Sequence, residues 1–97
     1  MKVIWTSNAI NRFNSITKKM VLFSPDKSSK FVDEVFMRVE GLAIFPDKGR
    51  KIYSSENENI RELIYKSHRI VYLINRLENS ITVLTILHTS QKFPEID

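Results

Sequence analysis

Cysteine is absent from the 97 residues, which excludes a disulfide framework, a thiolate metal site and a cysteine nucleophile. Histidine occurs twice, as His68 and His88, too few for a structural zinc site. No window stays apolar over the ~20 residues a membrane-spanning helix needs, and the opening MKVIWTSNAINRF lacks the apolar core of a signal peptide. No segment repeats and none is of low complexity. These absences point to a soluble cytoplasmic protein with no membrane role, no metal and no cofactor, the missing cysteine fitting a reducing compartment.

What is there is an ordinary globular composition. Hydrophobic residues make up 42% and charged residues 27%, away from the disordered class. The length suits one domain over residues 1–97, of which 91–97, with its proline, reads as a short C-terminal tail. Lysine and arginine number 15 against 11 acids, a net charge of +4 and a pI near 9.5. That balance favours anionic partners, either nucleic acid or an acidic protein segment.

The apolar pattern divides the chain in two. Residues 2–5 are a short β-prone run, after which Thr6 or Ser7 can cap a helix. Ala9, Ile10, Phe13, Ile16, Met20 and Val21 recur at helical spacing, ending near Leu22 or Phe23. Ser24-Pro25-Asp26 is a second start signal: a cap hydroxyl, a proline whose missing amide costs nothing, and an acid at the positive dipole end. Phe31, Val35, Val39 and Leu42 carry that helix on, and Pro46 is expected to stop it. Two antiparallel helices result. Residues 54–59 are polar and read as a loop. The segments 60–65, 68–77 and 80–88 are rich in β-branched and aromatic residues and form a meander. The expected fold is α+β, a helical hairpin packed on a twisted antiparallel sheet.

Two-residue turns at Lys66-Ser67 and Glu78-Asn79 would fix the register. Tyr65 then pairs with His68, Glu62 with Val71, and Arg69 with His88. One face would carry Leu63, Tyr65, Ile70, Tyr72, Ile74, Ile81, Val83 and Leu87 toward the helices. The other would gather Glu62, Arg69 and His88 at one end, together with Ile86. A one-residue slip reverses such assignments.

The stretch IRELIYKSHRIVYLI (60–74), followed by ITVLTILHTSQ (81–91) and preceded by FPDKGR (45–50), resembles the RelE/ParE superfamily of bacterial toxins from type II toxin–antitoxin modules. The likeness lies in an Arg-Glu-Leu strand, an aromatic-Arg-hydrophobic-hydrophobic-Tyr strand and a last strand ending in His. His68 stands where Tyr is commoner and is similar to the YoeB branch. Gln91 stands where ParE-like members usually carry Arg. The resemblance implies a toxin that inhibits growth by ParE-like poisoning of DNA gyrase, restrained by a cognate antitoxin in a hetero-oligomer. The alternatives are a RelE/YoeB-like ribosome-dependent mRNA endoribonuclease, or an attenuated homologue that only binds its antitoxin.

If the protein is such a nuclease, a metal-independent one, Glu62 would be the base for the ribose hydroxyl, Arg69 the phosphate clamp and His88 the acid. The same three residues would also serve as a cross-strand charge cluster with no chemistry. Arg61, Arg50 and Lys92 are candidate target or phosphate contacts. Arg61 alternatively pairs with Glu34, Glu40 or the 56–58 loop. Lys18, Lys19, Lys27 and Lys30 read as solvated helix faces able to meet an acidic antitoxin, and Trp5 as an anchor of the first strand.

Overall fold

In the computed structural model, which describes residues 1–91, Ser24 ends one helix and begins the next. Its N–H donates to the Met20 carbonyl, closing α1 (Ser7–Phe23), while its Oγ accepts from Lys27 N–H to open α2 (Pro25–Gly41). A single residue satisfies orphan groups of both helices, so the hairpin turns with almost no loop. At the other end of α1, Thr6 Oγ1 accepts from Ala9 N–H. The second helix stops at Gly41, ahead of Pro46, as the Ile44 and Phe45 amides both turn back to the Gly41 carbonyl. Pro46 instead opens a 3-10 turn, Pro46–Lys48.

Five strands follow this frame: β1 (Lys2–Trp5), β2 (Arg50–Lys51), β3 (Ile60–Tyr65), β4 (His68–Asn75) and β5 (Ser80–His88). Their order in the sheet is β1-β5-β4-β3-β2. Strands β2 to β5 are antiparallel, and β1 joins the edge parallel to β5, which makes the sheet mixed. Both helices cover one face. Phe13, Phe31, Val35 and Val39 meet Tyr65, Ile70, Val83 and Ile86 there, and Leu42 meets Tyr72, Ile74 and Ile81. Each such fully buried aliphatic side chain contributes roughly 1.5–3 kcal/mol. Trp5 anchors β1 by its rings' approach to Phe13 and Phe36, 5.6 and 5.5 Å away. On the outer face, Ile52, Ile60, Val71 and Leu87 form a smaller cluster.

The register of the first hairpin is the expected one, Tyr65 opposite His68 and Glu62 opposite Val71. The second hairpin differs twice. Its turn takes in residues 76–79, so Asn75 rather than Leu77 faces Ser80. Asn75 Oδ1 accepts from Glu78 N–H and Asn79 takes a positive φ of 51°, a conformation asparagine tolerates. That change moves the pairing by an even number and leaves the faces as expected. A bulge then follows: Tyr72 pairs with Val83 but Val71 pairs with Thr85, leaving Leu84 as the extra residue. The odd shift reverses the far end of β5. Ile86 points to the helices and Leu87 to the outer face, opposite to the expected assignment. Arg69 therefore faces Leu87, and His88 faces His68. The bulge has a structural use, since the Leu84 carbonyl accepts from the Thr6 hydroxyl that caps α1.

Candidate functional site

Among the described residues Glu62 is the most enclosed charged group, 5% exposed on the outer face of β3. Strand pairing sets Arg50 of β2 directly opposite, and its Nε donates to Glu62 Oε2 at 2.8 Å. Arg69 of β4 lies on the diagonal, with Nε 3.0 Å from Glu62 Oε1. That N–H is not aimed at the oxygen, so the contact is an ion pair without a hydrogen bond. Arg69 also donates through Nη1 to the Gln91 carbonyl at 3.3 Å. One buried carboxylate thus lies between two guanidinium groups, one exposed and one largely covered. Such a pair is not a net source of stability, but removing either partner of a buried charge is costly.

The segment that delivers Arg50 is pinned from below. Tyr72, fully buried, accepts from Gly49 N–H at 2.9 Å and donates to the Pro46 carbonyl at 2.6 Å. Burial pushes its phenol above the ordinary value, partly offset by the Gly49 N–H and Arg61. Gly49 is required by close approach and not by its φ. A Cβ there would lie 2.5 Å from the Tyr72 hydroxyl and 2.7 Å from the Glu62 carbonyl oxygen. Arg61 joins the same network, donating to the Gly49 carbonyl at 2.9 Å and standing 3.5 Å from Asp47. Asp47 also accepts from Arg76 at 2.9 Å. Arg61 is thus paired with Asp47 and not with Glu34, Glu40 or the 56–58 loop.

His88 does not reach this cluster. It sits on the helix side of the sheet, its ring 5.7 Å from that of His68, which in turn lies 5.1 Å from Phe31. Its Nδ1 lies 2.7 Å from the Ser90 hydroxyl and 3.1 Å from the Ser90 amide nitrogen. Burial holds His68 below the ordinary histidine value, and His88 acts in the same direction. Gln91 closes the turn after β5, its Oε1 accepting from His88 N–H at 2.7 Å. The structure therefore brings Glu62, Arg69 and Arg50 together, places Arg61 on a neighbouring network, and sets His88 apart. Lys92 lies outside the described residues. Among the described residues no three His, Asp or Glu side chains gather as metal ligands, and no helix is long and apolar enough to cross a membrane. Asp47 and Gly49 were not anticipated, and Tyr72 was expected only as an aromatic on the helix side of the sheet. A signal was available in Gly49, one of two glycines in the chain, standing directly before Arg50.

Residues 3–93 match the family described as the ParE toxin of the type II toxin–antitoxin system parDE. The chain belongs to the ParE toxin family. It is a type II toxin–antitoxin toxin. The fold is similar to a chain of the chromosomal ParDE system from P. aeruginosa, with a TM-score of 0.73 and 22% identity over 93% of this chain and 97% of that one. It is also similar to a chain of the RelBE2 toxin–antitoxin complex from Mycobacterium tuberculosis, at a TM-score of 0.62 and 14% identity over 93% and 92% of the two chains. No curated protein matches the sequence. Within the ParE family fold, Glu62 and its two arginines occupy the sheet face that the helices leave uncovered.

Proposed function

We propose that this ParE-family toxin arrests growth by binding DNA gyrase through a protein–protein contact, and that a cognate antitoxin binds and restrains it. The observation that carries the first half is the separation of His88 from Glu62 and Arg69. Cleavage of RNA through the ribose 2′-hydroxyl needs a base, a phosphate clamp and an acid around one bond. Here the base candidate is enclosed by two guanidinium groups, and the acid candidate stands on the other side of the sheet. A contact surface needs no such convergence. Arg50, its side chain 67% exposed, and the fully exposed Tyr53 project from one short segment and offer an arginine and an aromatic, the residue types that dominate interface energies.

The antitoxin half draws on the two similar structures, both from toxin–antitoxin systems. The test of the target uses purified components. The toxin should trap cleaved plasmid or stall supercoiling by gyrase, and should leave ribosome-bound message intact. Cleavage of that message with gyrase unaffected would replace this reading with the endoribonuclease one.

A further inference from the structure

The two histidines of the chain stand directly opposite each other across β4 and β5. No hydrogen bond joins the backbones of this pair. His88 N–H turns to Gln91 Oε1, and the adjacent bond runs from Thr89 N–H to the Ser67 carbonyl at 2.8 Å. Side chains approach most closely at pairs of this kind. Both rings lie on the helix side of the sheet, their centres 5.7 Å apart and their planes at 83°. They line one cavity of about 480 Å³ together with Met20.

A neutral imidazole binds late transition metals through its unprotonated nitrogen. Two of them on one tetrahedral ion, with metal–nitrogen bonds of roughly 2.0–2.1 Å, put their ring centres about 5 Å apart. The observed 5.7 Å is close to that, and the exposed His88 ring needs only a small turn to close the gap. Ser90 supplies the outer partner that orients such a ligand. With Nε2 on the ion, His88 Nδ1 carries the ring proton and donates to the Ser90 hydroxyl, 2.7 Å away. The Ser90 amide, 3.1 Å from the same nitrogen, is then left to water in an exposed turn.

We propose that His68 and His88 chelate a late first-row transition-metal ion, copper in preference to nickel or zinc. Two protein ligands cannot close a structural site, but they can hold an ion whose remaining positions keep water. Among the described residues no carboxylate completes a group with them, and none lines the cavity, which disfavours the oxygen-seeking ions Mg²⁺ and Ca²⁺. The donors the cavity offers are imidazole nitrogen and the Met20 thioether, and copper heads the divalent series for such sites. Arg12 and Lys19 line the same cavity and oppose a cation, which lowers the affinity of the pair. Neither the gyrase contact nor the antitoxin contact depends on this ion.

The test uses the full-length toxin without a histidine tag, at about pH 7.5, above the ordinary histidine value. Cu²⁺ should bind at one ion per chain, and its electron paramagnetic resonance spectrum should show coupling to two imidazole nitrogens. His88→Asn, at an exposed position, should weaken binding at least about tenfold while the metal-free melting temperature stays unchanged. His68→Gln should weaken it likewise, and Lys19→Gln should tighten it by removing a like charge. Zn²⁺ meets both rings only in the folded chain, so it should raise the melting temperature of the parent and not of His88→Asn. Copper affinity unmoved by either histidine substitution would place the ion elsewhere and overturn the proposal. A spectrum with a single coupled nitrogen would overturn it too, as would a cavity that takes inorganic phosphate and no metal.

Discussion

Replacing Tyr72 with phenylalanine tests how the segment before Arg50 is held. The substitution removes one oxygen, the atom that accepts from Gly49 N–H and donates to the Pro46 carbonyl. Gly49 is buried, so its amide loses its partner away from water, at about 1–3 kcal/mol. The Pro46 carbonyl is only partly covered and can turn to solvent, so its share is nearer the ~0.5–1.5 kcal/mol of an ordinary hydrogen bond. The ring still fills its place among Leu42, Ile74 and Ile81, so no cavity cost is added. The total is about 2–4 kcal/mol, a melting shift of roughly 8–20 °C for a domain this size. Thermal unfolding of purified Tyr72→Phe toxin measures it. Gly49→Ala provides the cross-check, because its Cβ would collide with the same hydroxyl and with the Glu62 carbonyl. In the double variant the hydroxyl clash disappears but those with the ring carbon Cε1 and the Glu62 carbonyl stay, so the two effects should be less than additive. A melting shift below about 2 °C for Tyr72→Phe would refute the bridge, since even one orphaned buried amide costs more.

Thr6→Val keeps the shape but loses the cap of α1 and the bond to the Leu84 carbonyl, and should cost about 1–3 kcal/mol in chemical denaturation, with Thr6→Ser restoring most of it. Arg50→Ala should cost about 1–3 kcal/mol, because the buried Glu62 carboxylate loses its hydrogen-bond donor, and should also weaken gyrase poisoning in the supercoiling assay. Arg69→Ala should cost a similar amount, about 1–3 kcal/mol, because it uncovers one side of a buried carboxylate that Arg50 still holds on the other. His68 is held below its ordinary value of 6.5 by burial and then by His88, so the unfolded chain takes up the proton first as pH falls. Its contribution is therefore intact above about pH 6.5 and is lost below it, and His68→Gln should flatten the decline in stability between about pH 7 and 5.

The helical hairpin was legible because its signals are local. Ser24, Pro25 and Asp26 act within one turn, and the apolar spacing over Phe13, Ile16 and Met20 needs nothing from the rest of the chain. The first β-hairpin was legible for the same reason, a two-residue turn setting six pairs in register. The strand β2 was not, because two exposed residues carry no alternation, and its place depends on the contact between Gly49 and Tyr72.

The site failed at one residue. Composition, turn rules and alternation all pass over Leu84, whose insertion is decided by the distant Thr6 taking its carbonyl. The longer second turn was harmless, since an even shift returns every side chain to its own face. The bulge was not, since an odd shift carries His88 across the sheet from Glu62 to His68. A chemical reading that joined Glu62, Arg69 and His88 therefore depended on the parity of a single strand pairing. The pair that survives, Glu62 with Arg69, lies on the side of the bulge-free first hairpin, where the register was set by a short turn. In this fold, residues placed by adjacent strands and a tight turn can be grouped from sequence, while those beyond the bulge take their face from the start of α1.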